Sequence, residues 1–164
     1  MLPSKRSPRT PLLLLALGAV LLGAPAAAQD IASAEALFDR GLADMKAGRY
    51  ETGCKAIAES QRLDPRAGTL FTLATCEAEW GHIATAFSRY GDYLAVYESL
   101  PAEKKPLQGD RPAVATEQRA KLGPDVPQLT LTLQKGAPAG TVVKRDGEIV
   151  GEAALGIALP VDPG

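Results

Sequence analysis

The sequence contains few of the residues that most enzymes use for chemistry. Among 164 residues there are one histidine, one tryptophan and two cysteines. No nucleophile, base and orienting group can be assembled around His82. The chain also lacks a glycine-rich phosphate loop and the spacing of a metal-ligand set. We therefore expect no catalytic residue, no metal site, no cofactor and no enzymatic activity.

Acidic residues are absent from the first 29 positions, which have the pattern of a bacterial-type signal peptide. An apolar run over residues 12–22 follows three basic residues, and three alanines at 26–28 suit signal peptidase. The alternative is a retained anchor, but the run is shorter than the roughly 20 apolar residues of a membrane span. We expect residues 1–28 to be removed and the mature chain to be periplasmic or secreted, without a transmembrane segment. The basic residues are Lys5, Arg6 and Arg9.

Basic residues are not in excess in the predicted mature chain. Without residues 1–28, 15 basic residues remain against 19 acidic ones, and the net charge is −4 with His82 neutral. A basic patch interleaved with aromatic residues is also missing, so nucleic acid is not an expected partner.

Two helical hairpins are predicted from the apolar periodicity between residues 34 and 99. In the first hairpin, Gly48 interrupts the helical pattern, and Asp64-Pro65 ends the second helix because the residue before proline disfavours helix. In the second hairpin, Gly81 is the break. Glu77 and Glu79, two residues apart on a helix, are expected to be solvated charges.

The two hairpins repeat each other at an offset of 33 residues, as Leu37 with Leu70 and Gly48 with Gly81 show. A repeat near this period is typical of a stacked helical array. The pattern resembles the tetratricopeptide repeat (TPR), although Arg40 and Asp44 stand where that family prefers apolar residues. Small residues should allow close helix approach, and larger ones should fill the space between helices. The matching positions are Leu37, Gly41, Gly48, Tyr50, Ile57 and Pro65 in the first unit, and Leu70, Leu73, Ala74, Gly81, Ala86 and Tyr90 in the second.

The TPR resemblance implies a groove lined by the first helix of each unit, which would bind a segment of a partner protein. Phe38 and Phe71 would be its apolar anchors, and Lys46 with Glu79 would recognise charged groups of a bound peptide. The alternative is that Phe38, Leu42 and Met45 pack against a capping helix or the C-terminal tail. The groove positions carried over are Glu35, Phe38, Leu42, Met45 and Lys46 in the first unit, and Phe71, Thr75 and Glu79 in the second.

A capping helix is predicted over residues 111–122, since about three repeats are usually needed for a stable array. Pro112 suits its first turn, Asp110 is its expected N-cap, and Gly123-Pro124 ends it. Residues 101–109 should form a loop. On the preceding helix, an aromatic stripe recurs at steps of three and four, of which we expect Phe87 and Tyr90 to be core. The stripe consists of Phe87, Tyr90, Tyr93 and Tyr97.

A small antiparallel β module is predicted after Pro127. Alternating leucines indicate a half-buried strand at 128–133, and Asp146-Gly147 predicts a hairpin between strands at 141–145 and 148–151. A further strand is expected at 158–161. This tail resembles the PEGA-type β module through Arg145-Asp146-Gly147, Gly151 and the closing residues 159–164. We expect a truncated module; the alternative is completion by another segment, because an open edge promotes association.

Cys54 and Cys76 each lie 11 residues from Pro65, on opposite sides of it. In an antiparallel helical hairpin about that turn, the two cysteines come to the same height, and a disulfide is sterically plausible. The alternative is a pair of buried thiols.

The predicted fold class is mainly α, with two TPR-like repeats and a capping helix, followed by the incomplete β module. The domains are expected at 29–123 and 124–164, after the signal peptide. The function indicated is a protein-binding scaffold of the cell envelope. The alternative is attachment to the cell wall or a surface polymer through the β tail, with the repeats as a spacer. An accessory subunit of an enzyme is a third, unsupported possibility.

Overall fold

The computed structural model describes residues 26–145 and 147–163. The positive region and apolar run of the predicted signal peptide lie outside these residues. Within the described ranges, none of the helices combines the length and apolar character needed to cross a membrane.

Five α-helices form most of the described chain, and the turns between them occupy the predicted positions. Gly48 and Gly81 have positive φ angles of 72° and 93°, a left-handed conformation that glycine adopts without steric cost. The first helix begins earlier than its apolar periodicity suggested, because residues 29–33 are helical but exposed and carry no core pattern. The helices are α1 (Ala26–Lys46), α2 (Tyr50–Leu63), α3 (Ala67–Trp80), α4 (Ile83–Ser99) and α5 (Arg111–Leu122).

Consecutive helices pack against each other along the chain, from α1 against α2 to α4 against α5. Gly41 is required where α1 meets α2, since a Cβ atom there would lie 2.5 Å from Cγ1 of Ile57 and 2.9 Å from the carbonyl oxygen of Gly53. Ala74 and Ala86 are fully buried. The predicted role of these small residues, close helix approach, is confirmed at Gly41.

The core consists of two clusters, one at each end of the helical array. The disulfide cluster lies between α2 and α3, where Phe38, Met45, Tyr50 and Trp80 pack around its buried residues: Cys54, Ile57, Leu73 and Cys76. The tyrosine cluster joins α3, α4 and α5, with Phe71 and Leu122 among its partly buried neighbours. Its buried residues are Leu70, Ala74, Ala86, Tyr90, Tyr93 and Ala115.

The α5 helix has the predicted bounds and proline in its first turn, but Asp110 makes no side-chain capping hydrogen bond. The backbone of Asp110 is already in the helical region, with φ −84° and ψ −6°, whereas an N-cap residue is usually extended. The predicted loop at 101–109 contains one short 3₁₀ turn, Lys105–Gln108.

The C-terminal tail forms two separate two-stranded antiparallel sheets. Strand β2 (Val143–Arg145) pairs with β3 (Glu148–Val150), which confirms the predicted hairpin, and Gly147 has a φ of 89° at its turn. Asp146 is outside the described residues. Strand β1 (Gln128–Thr130) pairs with β4 (Ala158–Pro160), so that Leu129 faces Leu159. The strands are shorter than predicted, and Leu133, expected on the buried face, is 42% exposed.

Candidate functional site

Two cavities lie along the face formed by α1, α3 and α5. The first cavity, about 500 Å³, is bounded by α1, the end of α2, the start of α3 and the approach to α5. The second cavity, about 570 Å³, lies between α3 and α5, with Tyr90 of α4 in its wall. Both volumes are within the roughly 300–1,000 Å³ of protein ligand sites.

The predicted groove residues are divided between these cavities. Glu35 and Phe38 line the first cavity. The three residues expected on the second repeat line the second cavity: Phe71, Thr75 and Glu79. The other three predicted residues, Leu42, Met45 and Lys46, line neither cavity. Met45 packs in the disulfide cluster, and Lys46 is exposed at the end of α1.

Phe38 and Phe71 each serve as cavity wall and core neighbour. The Phe71 ring makes edge contacts with Tyr93 at 5.2 Å and with Tyr90 at 6.0 Å between centroids. Phe38 and Met45 pack on the disulfide cluster, which differs from the capping helix or tail considered as their alternative partners. The two phenylalanines therefore stabilise the fold as well as shape the cavities.

Arg111 lines the first cavity, lies over Phe71 of the second, and was not identified from the sequence. Its guanidinium lies 6.0 Å from the Phe71 ring centroid, and a Cβ atom added at Gly68 would lie 3.6 Å from one of its terminal nitrogens. This cation–π contact connects α5 to α3. The only sequence signal was its position at the start of the predicted capping helix.

The first cavity contains an uneven set of charges. Arg66 pairs with Asp64 at 2.5 Å and with Glu35 at 3.5 Å. Asp39 lies on the same wall and has no ion pair among the described residues. Oε1 of Gln108 is buried here without a hydrogen bond, whereas Oδ2 of Asp64 is the oxygen that lies 2.5 Å from Nε of Arg66.

The tyrosines behind the second cavity are core residues. The hydroxyl of Tyr90 donates a hydrogen bond to Oγ1 of Thr75 at 3.2 Å, and burial raises the pKa of Tyr90. Tyr93 is fully buried with an unpaired hydroxyl; burial raises its pKa, and the nearby Arg111 opposes that shift. Phe87, expected in the core, is half-buried under the Arg119 guanidinium, 4.3 Å from its ring centroid.

The predicted disulfide between Cys54 and Cys76 is present. It joins α2 to α3, with a Cα–Cα distance of 5.6 Å. Both cysteines are buried, which places the bond inside the disulfide cluster, away from either cavity wall.

His82 has a carboxylate partner, contrary to the sequence interpretation. Its Nδ1 lies 2.7 Å from Oε2 of Glu77, whose side chain is only 12% exposed and is not the solvated charge expected. The imidazole also lies against Trp80, 3.8 Å between centroids. The left-handed turn at Gly81 brings these groups together, since the His82 amide bonds back to the Glu77 carbonyl.

The tail contacts the helical array through Asp162. Its Oδ1 accepts hydrogen bonds from the backbone amides of Ala84 and Thr85 at 2.8 and 3.0 Å, and its Oδ2 accepts one from the Thr85 hydroxyl. These amides belong to the first turn of α4, where a carboxylate is favoured by free N–H groups and the helix dipole. A cavity of about 600 Å³ remains between α4 and the tail.

In the described part of the chain, no group of three or more histidine, cysteine, aspartate and glutamate side chains is placed to hold a metal ion. No protein-family model, curated protein sequence or solved structure matches this chain.

Proposed function

We propose that this chain is a non-enzymatic interaction module of the bacterial cell envelope, in which two TPR-like repeats hold a segment of a partner protein. The observation that carries the proposal is the pair of cavities along α1, α3 and α5. Aromatic walls from Phe38 and Phe71 supply apolar contact area, and charged residues at the rims would fix the orientation of a bound segment.

The disulfide and the N-terminal pattern support a location outside the cytoplasm. Disulfides persist in oxidising compartments such as the periplasm, and they are rare in the cytosol. The buried Cys54–Cys76 bond therefore favours export, in agreement with the predicted signal peptide.

Site-specific photo-crosslinking in envelope extract tests the proposal. Phe38 and Phe71 are poor test positions because both contact the core. A photoreactive amino acid at exposed Asp39 or Glu79 reports on one cavity each, and the same label at exposed Ala95 of α4 is the matched control. We expect one partner segment to be captured from both cavity positions and not from Ala95. Equal capture from all three positions would contradict binding in the groove.

The C-terminal tail is a second candidate binding surface, for attachment to the cell wall or a surface polymer. Four large apolar side chains of the tail are at least 42% exposed and are available for contact with a partner surface. Crosslinks from labels at Val142 and Ile149, without crosslinks from the cavities, would favour this function. The exposed residues are Leu133, Val142, Ile149 and Ile157.

A further inference from the structure

We propose that the first cavity recognises a basic side chain, lysine or arginine, of the bound segment. This inference rests on the proposed function, because it names the chemistry of the ligand for one of the two cavities. Four observations about the cavity wall lead to it.

The first observation is a pair of like charges on α1. Glu35 and Asp39 are four residues apart, so both carboxylates lie on the same helix face, and both line the cavity. Like charges at this spacing repel each other. Arg66 compensates Glu35, whereas Asp39 has no partner among the described residues. A cation entering the cavity would provide the opposite charge that Asp39 lacks.

The second observation concerns the basic residues already present. Arg66 is shared between Glu35 and Asp64. Arg111 is held over the Phe71 ring and against Gly68. Both cations therefore already have a partner within the protein. The charged group of the cavity that lacks a partner is the Asp39 carboxylate.

The third observation is a hydrogen-bond acceptor without a donor. Oε1 of Gln108 is shielded from solvent and receives no hydrogen bond. An acceptor without a donor in such a position is unfavourable, and a ligand that brings N–H groups relieves it. An ammonium group carries three donors, and a guanidinium carries five.

The fourth observation is the apolar part of the same wall. Phe38, Ala34 and Ala67 line the cavity beside the acidic groups. Lysine and arginine lay their methylene chains on apolar surface while the charged end reaches polar partners. The cavity thus offers a surface for each part of a basic side chain.

Selection from a displayed library of random linear peptides tests this inference. The bait is the full chain, produced in an oxidising compartment with its disulfide intact. The variant Thr72→Phe, which adds a ring to the wall of the first cavity, identifies peptides that bind there. We expect those peptides to share a lysine or arginine at one position, and replacement of that residue by norleucine should weaken binding.

Asp39→Asn removes the uncompensated carboxylate, and it should weaken binding of the selected peptide by about two- to five-fold, as for an exposed charge pair. Asp125→Asn is the matched control, because Asp125 is an exposed aspartate that lines neither cavity. It should leave affinity unchanged. Circular dichroism should show equal helicity in all variants.

Two results would overturn the inference in different ways. Peptides that depend on the first cavity but carry an acidic or apolar residue at the shared position would refute basic recognition and leave the proposed function standing. A selection in which no peptide depends on either cavity, tested with Gln118→Phe for the second, would refute both.

Discussion

The helical array and the C-terminal tail are each stabilised by different interactions. Every buried apolar side chain of the described residues lies between Ala34 and Ala115, and no described residue after Gly123 is buried. The tail instead depends on two short strand pairs and on the hydrogen bonds of Asp162. Burial of apolar surface is the dominant favourable term in folding. The array should therefore fold without the tail, whereas the tail needs the array.

Truncation of a buried side chain should have the largest effect on the free energy of unfolding, and that effect should differ between the two regions. Ile57→Ala should lower the free energy of unfolding by about 2–5 kcal/mol, because Ile57 is fully buried and its removal leaves a cavity. Leu129→Ala, at a half-buried position of the tail, should cost about 1 kcal/mol or less. Chemical denaturation followed by circular dichroism measures both. Equal losses would mean that the tail belongs to the same cooperative core.

Removal of the disulfide should have the next largest effect, confined to the array. Cys54→Ala with Cys76→Ala should lower the stability of the folded chain by about 3 kcal/mol, since the bond closes a loop of 22 residues in the unfolded state. Thermal unfolding of the double variant, with and without reductant, measures the loss. A reduced parent chain whose thermal midpoint falls to that of the double variant supports the prediction. A double variant with the midpoint of the oxidised parent contradicts it.

Asp162→Ala should release the tail at smaller cost. Loss of a carboxylate that accepts first-turn amides typically costs about 1 kcal/mol. Amide hydrogen exchange should accelerate at Ala84, at Thr85 and in strands β1 and β4, while α2 keeps its protection. Asp162→Asn retains an acceptor and serves as the control. Faster exchange throughout α2 would show that the tail supports the whole array.

The smallest expected effect is a pH-dependent change in the stability of the helical array. The hydrogen bonds that Asp44 accepts from Arg49 are the strongest cause that lowers the pKa of Asp44 below its ordinary value of 3.8. A depressed folded-state pKa contributes stability above the unfolded value, and that stability is lost as pH falls through the folded pKa. The stability difference between the parent and Asp44→Asn should thus be full well above pH 3.8 and decrease as the pH falls through the lowered pKa of Asp44. A difference independent of pH would contradict this role.

The sequence predicted contacts between neighbours along the chain well. The turn glycines, the bounds of α5 and the Cys54–Cys76 pair follow from local spacing, because helical periodicity and the turn at Pro65 determine which residues come to the same height. Five of the eight predicted groove residues line a cavity, but the sequence did not indicate that they would be divided between two cavities. That division depends on the position of α5 relative to α3, which periodicity within each helix does not specify.

Contacts between distant segments were missed for a related reason. Asp162 meets Ala84 across 78 residues, and β1 pairs with β4 across the whole tail. Neither position carries a local signal, since a capping carboxylate is ordinarily recognised beside its own helix. The Glu77–His82 contact was nearer in sequence, but it requires the left-handed turn at Gly81 to bring the two side chains together.

The position of Trp80 decides what fluorescence can report about this protein. It is the only tryptophan in the chain, and it packs against the disulfide cluster beside His82. Its emission therefore reports first on the disulfide cluster, in the first half of the array. Trp80 emission would report an intact array even in molecules whose tail had already opened. A test of two-state unfolding therefore needs a second probe placed in the tail.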